Sequence, residues 1–147
     1  QLYCSDNPIR LENVSDFSNY QFKYLGDSIQ AHLHRFPSIK NGLNDMETNI
    51  LNVAMNHKPG SKGEFISTLL KNQGILGFGD SQYQRALGRL KPLFSSFNPV
   101  RLTQTGKSIL KGETSYYSCI QENDVYLGGA LKYNFLYNSN TNRILKL

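Results

Sequence analysis

The chain has 147 residues, 39% of them hydrophobic and 18% charged, with a formal net charge of +5. That length and balance suit one domain with a proper core, alone or with an attached helical arm, and they exclude a disordered chain. No apolar run is long enough to span a bilayer, no secretory leader is visible, and the two cysteines form no C-x-x-C pair that would offer zinc-ligand spacing.

Residues 1–22 read as an irregular arm, with Pro8 interrupting any period. A helix is predicted from about Tyr24 to Arg35, with Tyr24, Leu25, Ile29, Leu33 and Phe36 on one side and Pro37 ending it. Asn41-Gly42 is a turn. The next helix starts from Asn44 as N-cap, with Glu47 three positions on, and its apolar face is Met46, Ile50, Leu51, Val53 and Ala54. Lys58-Pro59-Gly60 stops it. Ser61 and Glu64 then make a stronger capping box for a helix carrying Phe65, Ile66, Leu69 and Leu70, with Gly74 as its stop. A fourth helix starts at Asp80, turns Tyr83, Leu87 and Leu90 inward, and ends at Pro92.

Phe94 to Leu102 reads as a tight hairpin around Asn98-Pro99. Thr103 caps a short helix that holds Ile109 and Leu110 and closes at Gly112. Beyond it the pattern turns to strand. Leu131, Tyr133, Phe135 and Tyr137 alternate with Lys132, Asn134 and Leu136, and Arg143 to Leu147 is the return strand. The expected fold class is α+β, with an arm and helix over 1–43, a helical centre over 44–112 and a C-terminal β-hairpin extension of the same domain over 113–147.

The positive charge is concentrated in the centre. Between Lys58 and Gly112 there are nine Lys or Arg and only two acids, Glu64 and Asp80. Such a block suggests a phosphate-bearing partner if its charges converge on a surface.

Three helices, a hairpin, then a helix opening at Leu102-Thr103-Gln104-Thr105-Gly106 is similar to a winged helix-turn-helix, and Arg101 to Leu110 resembles the strand-to-helix junction of bacterial winged-helix regulators. In that junction Thr103 caps the helix and Gly106 permits close packing. A longer stretch resembles the bacterial domain-of-unknown-function family numbered eighteen thirty-five. The residues that carry it are Tyr24-Leu25-Gly26-Asp27, His32 to Ser38, Asn41-Gly42-Leu43, Leu76 to Tyr83 and Tyr126-Leu127-Gly128-Gly129. The resemblance covers roughly Tyr24 to Leu131. It implies a small α/β domain upstream, and it implies no activity, because none is established for that family. The chain begins at Gln1 without an initiator Met, so a fragment or processed product is expected.

In a helix-turn-helix the second helix presents its early residues to the major groove. Here that helix opens at Asp80, and its outward residues are Ser81, Gln82, Gln84, Arg85, Arg89 and Lys91. Arg suits guanine and Gln suits adenine for paired hydrogen bonds. Lys58, Lys62, Lys71, Arg101 and Lys107 would hold flanking phosphates. Against this stand Asp80 at the helix entrance, unless its carboxylate turns inward as an N-cap, and a short hairpin tip without a base. The sequence expectation is therefore a non-catalytic, cytoplasmic module that binds double-stranded DNA and takes no cofactor. The alternative is a protein-interaction module that positions or regulates the upstream α/β domain. A homodimer through the arm before Pro37 is expected by analogy with winged-helix regulators.

Other features carry less chemistry. His32 and His34 point to different sides of a helix and cannot share a metal, and His32 is expected to pack near the core. Gly74, Gly77 and Gly79 lack the Lys and Ser/Thr of a phosphate loop and read as turn glycines. Glu113, Glu122 and Asp124 have no histidine or metal beside them and read as a solvated loop. Cys4 and Cys119 read as two buried thiols in a reducing compartment, with a single disulfide between them as the alternative. Tyr133, Phe135 and Tyr137 read as core for the C-terminal sheet.

Overall fold

The computed structural model describes residues 2–15, 22–74, 77–120 and 123–147. The chain divides into two units, one built from Gln1–Asn44 together with Ile120–Leu147, the other from Asp45–Cys119. This partition differs from the sequence expectation, in which residues 113–147 extended the central domain.

The first unit combines two distant stretches of chain. Residues 1–22, expected to be irregular, contain a 3-10 turn at Leu2–Cys4 and the helix α1 (Ile9–Ser15). Asn7 supplies the start signal, its Oδ1 accepting the Ile9 N–H at 3.1 Å. Seven residues are too few for a helical period to stand out, which is why the sequence hid α1. Helix α2 (Leu25–Leu33) is shorter than predicted. Tyr24 is its N-cap and lies 69% exposed instead of facing inward. After Leu33 the chain tightens, with Arg35 N–H on His32 O and Phe36 N–H on Leu33 O, and Pro37 then ends the turn.

From Ile120 onward come three pieces: the hairpin β3 (Tyr126–Leu127) with β4 (Ala130–Leu131), a 3-10 turn at Lys132–Asn134, and the hairpin β5 (Phe135–Asn138) with β6 (Arg143–Lys146). The 3-10 turn interrupts the single strand expected over 131–137, and Lys132 is buried along with Tyr133, with which it was expected to alternate. Tyr133, Phe135 and Tyr137 are buried as expected. One hydrophobic cluster joins the two stretches: Leu11, Ile29, Leu33 and Phe36 meet Leu127, Ala130, Phe135, Tyr137 and Ile144. Backbone bonds reinforce it, with Tyr137 N–H on Pro37 O at 2.7 Å and Ile39 N–H on Tyr137 O at 3.0 Å. Gly128-Gly129 forms a saddle for the N-terminal 3-10 turn. A Cβ on Gly128 would fall 2.0 Å from the Tyr3 carbonyl oxygen, and one on Gly129 would fall 2.1 Å from that of Cys4. Only glycine admits that approach.

The second unit runs α3 (Asp45–His57), α4 (Lys62–Asn72), α5 (Asp80–Arg89), a 3-10 turn at Lys91–Leu93, β1 (Phe94–Phe97), β2 (Val100–Leu102) and α6 (Gln104–Lys111). A final 3-10 turn spans Tyr116–Cys119. The caps of α4 and α6 form at Ser61 and Thr103, as read from the sequence. Ser61 Oγ accepts the Glu64 N–H at 3.2 Å, and Glu64 Oε2 accepts the Gly60 N–H at 2.8 Å. Thr103 Oγ1 accepts the Gly106 N–H at 3.0 Å. Gly112 ends α6 in the left-handed conformation. Gly106 is the contact point of α6, since a Cβ there would lie 2.6 Å from the Leu93 carbonyl oxygen. The β1–β2 hairpin turns through a cis Asn98–Pro99 bond, and Val100 donates its N–H to the Pro59 carbonyl at 2.9 Å. The chain just before α4 is thus tied to the start of β2 by one backbone bond.

Candidate nucleic-acid interface

The geometry of α5 follows from its start. Gly79 is the N-cap, with Gln82 Oε1 accepting its N–H at 2.9 Å. This is half of a capping box, because glycine has no side chain to complete it. Asp80, whose carboxylate an N-cap role would have turned inward, is instead the first helical residue and is exposed, its Oδ1 accepting the Ser81 N–H at 2.7 Å. Placed there, the carboxylate favours the positive end of the helix. The approach to α5 is held by Gln73, whose Oε1 accepts the Phe78 N–H at 2.7 Å and the Tyr83 hydroxyl at 3.3 Å.

The inner face of α5 is Tyr83, Ala86 and Leu87, continued by Leu90, all buried. Desolvation raises the Tyr83 phenol above its ordinary value, and the polar side chain of Asn49 opposes that rise. At the far end, Tyr116 donates its hydroxyl to the Arg89 carbonyl at 3.1 Å. Burial, with Glu47 and Cys119 nearby, pushes that phenol up to about 12, and Arg89 acts in the opposite direction. The last turn of α5 is therefore pinned by a neutral donor on its carbonyl.

The outer face of α5 is open. Ser81, Gln82, Gln84, Arg85, Gly88 and Arg89 are all exposed, and so are Lys62, Lys91, Arg101 and Lys107. Among the described residues, none of Arg85, Arg89, Lys91, Arg101 and Lys107 forms an ion pair. Ser81, Gln82, Arg85 and Arg89 fall on one side of the helix by their spacing. Gln82 belongs to that side, but its carbonyl oxygen is already held by Gly79, leaving only its NH₂ for a partner.

The hairpin tip differs from an extended basic wing. Asn98 Oδ1 accepts the Lys62 N–H at 3.1 Å, and Lys62 Nζ lies 5.8 Å from the centre of the Phe97 ring. Phe97 stacks on Phe94, which meets Phe65 of α4. The tip is thus bound back onto the start of α4. Sequence reading saw a turn at Asn98-Pro99 but not this bond, because Lys62 and Asn98 lie 36 positions apart.

The remaining polar groups stay dispersed. The His32 ring lies 4.9 Å from that of Tyr3 at a tilt of 58°, its Nε2 buried without a hydrogen-bond partner, while His34 Nε2 meets the Tyr137 hydroxyl at 2.9 Å. His57 ends α3 in solvent. Cys4 is exposed and Cys119 half-buried, so neither is the fully buried thiol expected. Gly74 and Gly77 both have positive φ, as turn glycines should, whereas Gly79 does not. Glu122 and Leu76 lie outside the described residues. Among the described residues, no three His, Cys, Asp or Glu gather in a way that could hold a metal, and no helix is long and apolar enough to cross a membrane. Compared with protein-family models, curated proteins and solved structures, the chain matches none.

Proposed function

We propose that the unit Asp45–Cys119 is a winged-helix-like module that binds double-stranded DNA, with α5 as the helix that enters the groove. The observation that carries this reading is the exposed, ion-pair-free Arg85 and Arg89 on the outer face of α5, in a helix buried firmly on its other side. The element order supports it, as does the Val100–Pro59 bond, which ties the chain before α4 to the hairpin. Exposed Lys62, Lys91, Arg101 and Lys107 supply phosphate contacts. Because Gln82 and Asn98 spend their carbonyl oxygens inside the fold, direct base reading falls mainly to Ser81 and Gln84, and Arg85 and Arg89 serve chiefly as phosphate contacts. Affinity is then dominated by phosphate charge, with modest sequence preference.

Fluorescence anisotropy with a random-sequence duplex tests this. Binding is expected to fall steeply between low and near-physiological salt. The Arg85→Ala/Arg89→Ala double variant is expected to weaken binding at least tenfold at low salt and to flatten the salt slope by about 2, roughly one for each phosphate no longer neutralised. Absence of duplex binding even at low salt overturns the reading and leaves α5 as a surface for a protein partner.

A further inference from the structure

The outer face of α5 contains a residue that the fold does not require. Gly88 lies within the helix, and the chain stays helical past it, with the Leu90 N–H still on the Ala86 carbonyl. Its φ is not positive, so no left-handed turn asks for glycine. A Cβ built on it would meet nothing within 4 Å, so no packed neighbour asks for glycine either. The contrast with Gly106, Gly128 and Gly129 is plain, because at each of those a carbonyl oxygen lies within 2.6 Å of the Cβ position. Glycine in a helix gives up more backbone freedom on folding than alanine does, and here no contact inside the molecule offsets that loss. Gly63 also meets nothing, but it stands in the first turn of α4, where Ser61 and Asn98 are still capping the free amides.

Breaking a local rule with no internal compensation points to something outside the molecule. By helical spacing Gly88 lies on the same side as Ser81, Arg85 and Arg89. It is close to the C-terminal end of α5, where a helix leaving the groove passes the lip of the duplex. We infer that Gly88 is the point of closest approach between α5 and the sugar–phosphate backbone of one DNA strand. Resting on the DNA-binding reading, this adds a position at which the absent side chain lets the helix backbone reach van der Waals contact with a deoxyribose. Arg85 and Arg89, on either side of the gap, then reach phosphates without the helix having to stand off. The partner recognised is the shape and charge of the strand, not a base.

The test is Gly88→Ala, compared with wild type and with Ser67→Ala, an exposed substitution within α4 that also raises helix propensity. Thermal melts are expected to show Gly88→Ala as stable as wild type or more so, by roughly 3 °C. Duplex affinity at fixed low salt is expected to fall by about tenfold in Gly88→Ala and to stay unchanged in Ser67→Ala. If wild type binds and Gly88→Ala binds equally well, the close approach is wrong while the DNA reading stands. If Ser67→Ala loses as much as Gly88→Ala, the loss comes from helix stiffening and the inference again fails. If wild type itself does not bind, the reading beneath it has failed.

Discussion

His32 sits between Tyr3 and Phe36, its Nε2 sealed from solvent and without a partner. Burial, followed by the positive charge of Arg35, lowers its pKa below the ordinary 6.5. The unfolded chain therefore takes up a proton that the folded chain resists. Stability from this site is full above the ordinary value and is lost as the pH falls from 6.5 through the lowered one. His32→Phe keeps a ring in place and removes the titration. Urea unfolding at pH 7.5 and 5.5 is expected to show a smaller loss in the variant, and equal losses would assign acid sensitivity elsewhere. Some of this was legible in advance, since the helical period of Leu33 and Phe36 brings His32 near the core. Its ring contact with Tyr3 was not, because no local pattern ties residue 3 to residue 32.

Caps and turns were the most readable elements, because their chemistry is confined to a few consecutive residues. Ser61, Thr103, Gly74 and Gly112 each act where the sequence placed them, while Glu64 reaches one residue further back than a capping box requires, to the Gly60 N–H. Thr103 does more than cap: its hydroxyl also donates to the Leu93 carbonyl at 3.2 Å, joining α6 to the turn after α5. Thr103→Ala is expected to cost about 1 kcal/mol in chemical denaturation, the usual loss for an N-cap threonine. A change under a few tenths would mean that water replaces the hydroxyl. Where the sequence misled, a distant partner decided. The predicted strand over 131–137 breaks at Lys132–Asn134, where the Lys132 N–H turns back to the Val125 carbonyl. Around α5, the apolar spacing revealed the helix and its open face, while the engaged carbonyl of Gln82 depended on which residue occupies the cap.

At the scale of the whole chain, Asp45–Cys119 is inserted between the two parts of another unit. Linear reading divides a chain into consecutive blocks, and for that reason it assigned the last stretch to the middle one. The pairing of α1 and α2 with β5 and β6 rests on contacts such as Tyr137 with His34, 103 positions apart, which no periodicity encodes. The central unit has its own helices, hairpin and capped ends, so a fragment spanning 45–119 is expected to melt cooperatively. A fragment spanning 1–44 is expected to show no cooperative melt, because half of its hydrophobic cluster is gone. Circular dichroism on both fragments checks this, and a cooperative melt from 1–44 would show that its helices need no partner strands.

The insertion also sets an order of events during synthesis. A ribosome delivers α1 and α2 first, then the whole of 45–119, and only afterwards the strands that cover Leu11, Ile29, Leu33 and Phe36. Domains fold as units while the chain emerges. The basic module can therefore take shape early, while the apolar faces of the first two helices wait, uncovered, until Phe135, Tyr137 and Ile144 have been made. During that interval those faces are a natural binding surface for a chaperone.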